Sequence, residues 1–364
     1  MSTRFSFLCP AYNHERFIER FLDCVLRQTD PDWELVLVDD SSSDRTAEIA
    51  AQYGDPRIKL IRHDVNRGVA AGLNDAFTCS CGELVCFVAS DDEPEPTLVA
   101  EMKSLFAEDP QLAAAYTNLT EIDEEGRPLE RRFELPRHVP HEHLFAEMFI
   151  HRNCLPSPGL TMRREMFAAM WPLDEGFLQH SDSAMNLTIT SAHRFSFART
   201  PLMRYRVNRR GKSAGASNRS QVTKTRESAE VSLLLDYADR LIGNDVSTFL
   251  RLFGHLELVK SASVTPETVS FWLARIALTS DQYDKRLWGL RRIIRLMNER
   301  SQADLLRRNA GFTFKDMLSL AQDVHSQNRF YHKFRKYRTW TFRLGFVLSL
   351  VTVLFISLLL WQAR

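Results

Sequence analysis

No charge of either sign dominates this chain. Its 364 residues carry 47 Lys and Arg against 46 Asp and Glu, a formal net charge of +1. Nucleic-acid binding leaves a basic excess, so no nucleic acid is expected as a partner. Glycine is missing where a dinucleotide fold needs it. The first apolar run ends in Cys9-Pro10-Ala11-Tyr12-Asn13, without a glycine. A nicotinamide cofactor requires glycines there for close backbone approach to its pyrophosphate, so a dehydrogenase is excluded. Cysteines are few and badly spaced for metal. Of Cys9, Cys24, Cys79, Cys81, Cys86 and Cys154, only Cys79 and Cys81 form a close pair. A structural zinc needs four ligands, and several of these thiols lie in apolar runs, as in a reducing compartment. Met1 to Arg4 lead straight into a strand, so no secretory leader is expected, and no internal repeat is visible.

What the chain has is alternation. Strand-like runs at Phe5–Leu8, Glu34–Val38, Lys59–Ile61, Leu84–Val88 and Ala113–Tyr116 are separated by helical patterns at Glu15–Gln28, Arg45–Tyr53, Val69–Thr78 and Pro96–Glu108. The order predicts right-handed βαβ units, an α/β class and a mainly parallel central sheet. Residues 117–160 read as loop-rich, with a turn at Glu124-Glu125-Gly126 and a short helix over His143–His151. From Thr223 to about Gln327 the apolar period becomes helical.

Three apolar runs end in polar residues. The first ends in Pro10-Ala11-Tyr12-Asn13, the second in Asp39-Asp40-Ser41-Ser42-Ser43-Asp44, and the fourth in Ala89-Ser90-Asp91-Asp92. Ligands of open α/β sheets gather outside the carboxyl ends of the strands, so these segments are the candidate site. Helix capping and a tight turn would also explain Asp39 to Ser43.

Together with Arg27-Gln-Thr29, Asn66-Arg67-Gly68-Val-Ala-Ala-Gly72-Leu-Asn74, Ser181-Asp182 and Tyr205-Arg206-Val207-Asn208, these segments stand in the order and spacing of a known family. The chain resembles, over about residues 5 to 213, the family 2 inverting glycosyltransferases of GT-A fold. The resemblance implies a nucleotide-diphosphate sugar donor, UDP-linked, and a divalent metal, Mn²⁺ or Mg²⁺, at Asp91 and Asp92. It implies that Pro10, Ala11 and Tyr12 line the base, that Asp40 accepts the uracil imide N–H, and that Arg67 and Arg206 reach the phosphates or ribose. Asp182 takes the position of the general base, with His180 as runner-up; capping of the following helix is the compatible plain reading. Asn153 to Gly159 match an acceptor loop. Two departures stand out: Ala89 replaces the first motif carboxylate, and Asn208 replaces the usual histidine. They leave open a catalytically inactive GT-A-like nucleotide-binding or scaffold protein. The cations at 204, 206, 209, 210 and 212 equally suit a solvated face or a lipid headgroup.

Leu344 to Trp361 carry no charge over 18 residues, which as a helix span about 27 Å, near the thickness of a bilayer's hydrocarbon core. Lys333, Arg335, Lys336, Arg338 and Arg343 precede this run. Expected segments are therefore a GT-A domain at 1–213, a helical domain at 214–330, a basic juxtamembrane stretch at 331–343 and a transmembrane helix at 344–361. The charge asymmetry places the catalytic domain in the cytosol, with a single-pass C-terminal anchor. The acceptor expected at such a membrane is a lipid-linked or cell-envelope glycan.

Overall fold

A computed structural model describes residues 4–207 and 221–326. Asn208, the basic residues after it and the apolar run 344–361 lie outside the described residues. Among the described residues no helix is long and apolar enough to cross a membrane. The chain divides into two compact units between Lys260 and Ser261.

In the first unit the strands are β1 (Phe5–Ala11), β2 (Trp33–Asp39), β3 (Ile58–Arg62), β4 (Leu84–Phe87), β5 (Glu93–Pro94), β6 (Ala114–Ile122), β7 (Pro128–Phe133), β8 (Thr161–Arg163) and β9 (Phe195–Arg206). The helices are α1 (Ile18–Leu26), α2 (Thr46–Ala51), α3 (Val69–Cys79), α4 (Leu98–Glu108), α5 (Leu144–Ile150), α6 (Arg164–Met170), α7 (Ser181–Ala192), α8 (Gln221–Ile242), α9 (Val246–Phe253) and α10 (Glu257–Lys260). One sheet runs β3-β2-β1-β4-β8-β6-β9-β5, with β7 on β6.

Only one side of that sheet is the parallel array expected from the sequence. β3, β2, β1 and β4 pair in parallel, in register Phe5↔Trp33 and Phe5↔Leu84. Beyond β4 the sheet is mixed. β8 runs antiparallel to both β4 and β6, β5 is antiparallel to β9, and β6 is parallel to β9. The reason is local. β6 continues to Ile122 and turns back through a hairpin into β7, where a loop was expected. Gly126 sits in that turn at φ +85°, a left-handed backbone that glycine adopts without a Cβ clash.

β1, β2 and β4 are largely apolar on both faces because helices cover both, whereas the edge strand β3 keeps Lys59 and Arg62 exposed. Every residue of β2 is buried, and Phe5, Phe7, Leu35, Leu37, Leu84 and Cys86 pack against Ile18, Phe21, Leu22 and Val25 of α1. α3 approaches β1 closely. A Cβ on Gly72 would stand 2.9 Å from the Cβ of Pro10. Gly72 thus lets α3 press directly on the turn that opens the candidate site.

The second unit is helical: α11 (Val269–Ala277), α12 (Tyr283–Asn298), α13 (Arg300–Ala310) and α14 (Phe314–Ser326). Phe271, Leu273, Ile276, Trp288, Ile293, Leu306 and Phe312 form its interior. A Cβ on Gly289 would meet the Ala274 carbonyl oxygen at 2.5 Å, so a glycine lets α11 and α12 cross at close range.

Gly72→Val should destabilise the first unit by about 1–3 kcal/mol, the range for forcing extra methyl groups into a packed contact. Urea unfolding followed by circular dichroism checks this; an unchanged midpoint would mean that α3 can slide off Pro10.

Candidate active site

The candidate site is assembled from turns at the carboxyl ends of β1, β2, β3 and β4. Two of them contain the only described non-glycine residues with left-handed backbone, Asn13 (φ 57°) and Ser41 (φ 62°). Such residues concentrate at functional turns, where surrounding bonds hold them. Here the two turns hold each other. The Asn13 amide donates to Ser42 Oγ at 3.0 Å, and the Ser43 amide donates to Asn13 Oδ1 at 2.8 Å. The Asp40 amide donates to the Ala11 carbonyl at 2.8 Å, which brings Pro10-Ala11-Tyr12 beside Asp39. His14 links in the fourth turn through a 2.7 Å contact between Nδ1 and Ser90 Oγ.

The two adjacent carboxylates of β2 do different jobs. Asp40 was expected to accept a base N–H, but its oxygens already serve the protein. Oδ1 accepts the Arg67 amide at 2.8 Å and faces His63 Nδ1 at 2.7 Å, while Oδ2 accepts the Gly68 amide at 2.7 Å. Asp40 therefore pins the 63–68 turn. Asp39 is the carboxylate with an enclosed oxygen, Oδ1, that has no hydrogen-bond partner among the described residues. Arg67 also differs from expectation. Its guanidinium pairs with Asp75 at 2.8 Å and with Glu175 at 3.0 Å, directing it along α3 and toward the loop before α7.

The acidic segment after β4 is gripped from behind by β9. Arg206 has no exposed surface. Its amide donates to Asp92 Oδ1 and its Nε to the Asp91 carbonyl, both at 2.8 Å. Its remaining nitrogens reach the carbonyls of Asp123 and Glu124 and the Glu93 carboxylate. Arg204 takes the other Glu93 oxygen at 2.7 Å. Expected as a diphosphate contact, Arg206 is enclosed by protein, with its side-chain nitrogens bonded to protein oxygens. It supports the acidic segment instead.

Asp91 and Asp92 are both buried, at 2% and 1% exposure, and burial followed by the neighbouring Asp91 charge pushes the Asp92 carboxyl well above the ordinary range. Asp92 Oδ2 is enclosed without a partner among the described residues. Two close carboxylates with an orphaned oxygen fit a divalent cation. No third ligand joins them among the described residues, so phosphate oxygens and water would complete the coordination sphere.

Asp182 lies in the first turn of α7 and is half-buried. Desolvation raises its carboxyl above the usual range, opposed by the nearby His180. Asn153 donates to Asp182 Oδ2 at 3.1 Å, and the Ser183 amide donates to Oδ1 at 2.6 Å. Asn153 is itself held by Asn186, whose Oδ1 accepts the Tyr116 hydroxyl at 2.9 Å. The loop that carries Asn153 runs on to Gly159, whose amide donates to the Phe87 carbonyl at 2.8 Å, at the end of β4. On its other side the approach to α7 rests on the 63–68 turn, through Glu175 and through Leu178, which a Cβ on Gly68 would meet at 3.0 Å. The base candidate is thus tied to two of the four strand-end turns. His180 is placed less favourably as a base. Its Nδ1 faces Ser183 Oγ and its Nε2 is enclosed.

Asp39, His14 and Asn186 were not singled out by reading the sequence, and Asn153 was assigned only to an acceptor loop. The signal for Asp39 was present in the Asp39-Asp40 pair, but only strand pairing distinguishes its two members. A cavity of about 130 Å³ lined by Leu173, Phe177, Ser181, Met185, Tyr237 and Arg240 lies apart from the strand-end turns, and its mostly apolar walls do not suit a diphosphate.

Residues 6–171 match the model of a family described as glycosyl transferase family 2. TuaG of Bacillus subtilis is 31% identical over 152 residues, 41% of this chain and 59% of that protein. The UDP-Glc:alpha-D-GlcNAc-diphosphoundecaprenol beta-1,3-glucosyltransferase WfgD of Escherichia coli is 38% identical over 87 residues, 24% of this chain and 34% of that one. Each match spans less than two thirds of the relative's own length. The solved structure of S. aureus TarS in complex with UDP-GlcNAc superposes with a TM-score of 0.54 over 84% of this chain and 92% of that chain, at 16% identity. At that identity the likeness concerns the fold alone, a GT-A-like mixed α/β unit followed by helices.

Arg206→Ala should cost about 3–5 kcal/mol of stability, because it leaves the buried Glu93 carboxylate short of its partner. Denaturant unfolding measures this. A variant of wild-type stability that binds UDP weakly would return Arg206 to the ligand.

Proposed function

We infer, from a chain that belongs through residues 6–171 to the family 2 glycosyltransferases, that it moves a sugar from a UDP-linked donor to a hydroxyl of a lipid-linked or cell-envelope glycan, with inversion. One observation carries the reading. The enclosed, unpartnered oxygen of Asp92 stands beside Asp91 on the strand-end edge that also holds the 10–14 and 39–44 turns.

In this reading Pro10, Ala11 and Tyr12 line the base, and Asp39 Oδ1 accepts its imide N–H in place of Asp40. Tyr12 is 38% exposed and open to stack on a ring. Asp91 and Asp92 would hold a Mn²⁺ or Mg²⁺ ion, which supplies charge that stabilises the departing diphosphate. Asp182 takes the proton of the acceptor hydroxyl as its oxygen bonds to the anomeric carbon. The bond from that carbon to the diphosphate oxygen breaks on the opposite face, and its electron pair leaves with UDP. Inversion follows from a single displacement. A carboxylate raised by desolvation is a stronger base than an ordinary one, and Asn153 and the Ser183 amide fix its direction. The absence of a carboxylate at Ala89 does not disturb the turn, since the Ala89 carbonyl accepts the Asp92 amide at 3.1 Å.

The name of WfgD supports the choice of donor and acceptor, as it specifies a UDP-sugar and a diphosphoundecaprenol-linked glycan. Membrane attachment rests on the sequence. Residues 344–361 would form a single-pass anchor behind the basic stretch 331–343, with the transferase unit in the cytosol; tethering would concentrate a lipid-linked acceptor near the site.

The test is UDP release from a panel of UDP-sugars with and without Mn²⁺. Metal-dependent release is expected, and calorimetric UDP binding without turnover would favour a binding or scaffold role. Asp182→Asn should retain UDP affinity within about twofold and lose about 10²–10⁴-fold in kcat, the range for a general base. Wild-type turnover in that variant removes Asp182 from the reaction. For the wild type, kcat should fall as pH drops through the raised Asp182 titration, so the acid limb lies above the ordinary aspartate range; a limb at or below that range would contradict the desolvated base.

A further inference from the structure

We propose that Glu230, on α8 and beyond the family-matched residues, is a positioning residue for transfer, gripping the backbone at the entry to α7 and so setting the direction in which Asp182 points. The proposal rests on the reading of Asp182 as base.

Glu230 is 2% exposed. Its Oε2 accepts the amides of Gln179, at 2.8 Å, and His180, at 3.2 Å. Its Oε1 is enclosed with no partner, and no cation pairs with it among the described residues. A carboxylate removed from water with so few partners is costly, so packing alone does not account for it. α7 lacks a side-chain cap of its own, since the residue at its N-cap, His180, supplies none. The carboxylate comes from a separate helix to do that work, where the positive end of the helix dipole favours an anion.

The consequence falls on Asp182. Fixing the peptide groups of Gln179 and His180 fixes the backbone entering Ser181 and Asp182. α8 braces α7 a second time two turns on, where the Tyr237 hydroxyl lies 2.6 Å from Thr188 Oγ1. The carboxylate of Asp182 is held at its head by Asn153, and its backbone is held by Glu230. A base displaced by about 1 Å loses on the order of a hundredfold in rate, so a second anchor on the backbone has kinetic weight.

Two conservative variants of the full chain separate hydrogen-bond geometry from charge. Glu230→Gln keeps the length and one carbonyl acceptor. Glu230→Asp keeps the charge but withdraws the acceptor by one methylene. Turnover is read as UDP release from the UDP-sugar of the panel that the wild type uses fastest, and binding as calorimetry with UDP and Mn²⁺. Glu230→Gln should stay within about threefold of wild-type kcat, and Glu230→Asp should lose about tenfold or more, both with UDP affinity within about twofold. Wild-type kcat in Glu230→Asp overturns the proposal, as does equal impairment of the two variants. Parallel loss of UDP affinity and kcat in Glu230→Asp overturns it too, because that pattern reports general unfolding. A wild-type chain that releases no UDP from any donor overturns the transferase reading itself, and the proposal with it.

Discussion

One arginine without solvent contact holds three consecutive acidic residues in place, two through its guanidinium and one through its backbone amide. Arg206 meets the Asp91 carbonyl, the Asp92 carboxylate through its amide, and the Glu93 side chain, while Arg204 takes the rest of Glu93. Without these partners Asp91, Asp92 and Glu93 could not be buried together at the end of β4, since like charges in a dry setting repel strongly. The arrangement is asymmetric. Glu93 is neutralised by arginines, whereas Asp92 keeps one oxygen enclosed without a partner among the described residues. The protein thus anchors the segment at its third acid and leaves an oxygen of the second unmatched there. β9 is therefore as much a part of the site as the strands that carry its turns.

A second layer of constraint lies in front. The left-handed residues Asn13 and Ser41 stitch the β1 and β2 turns to each other, and Asp40 pins the 63–68 turn with three contacts. His63 continues that chain to Asp75, which also receives Arg67. The network ends at Glu175, on the approach to α7. The strand-end turns and the approach to α7 are consequently joined by ion pairs rather than by apolar packing alone. Charged contacts of this kind fix direction better than they add stability, because two of the carboxylates and the arginine remain partly exposed and screened.

The parallel half of the sheet was legible because its strands are continuous apolar runs separated by amphipathic helices. The antiparallel half was not. β5 is two residues long, and β7 reads Pro-Leu-Glu-Arg-Arg-Phe, so neither carries an apolar pattern. The site was legible at the level of segments and misread at the level of atoms. Asp39 and Asp40 are indistinguishable in sequence, and which of them faces the turn or the ligand depends on the pairing of Ala11 with Asp39. Arg206 was misread for a related reason. The Tyr205-Arg206-Val207-Asn208 segment suggested a phosphate or ribose contact by resemblance, and only the pairing of β9 with β5 shows Arg206 enclosed beside Glu93.

The position of α7 shows why a family-matched stretch is an incomplete unit of function. That match ends at residue 171, before α7 begins at Ser181. The proposed base, the asparagines that hold it and the helix that braces it come from chain segments far apart. Asn153 lies within the match, Asp182 beyond it, and α8 further still. The sheet can present a diphosphate site from strand ends alone, because backbone pairing fixes those ends. A base on a helix has no such lattice and needs bonds to its first turn from elsewhere. The first turn of α7 is then held from both sides in sequence, by Asn153 before it and Glu230 after it.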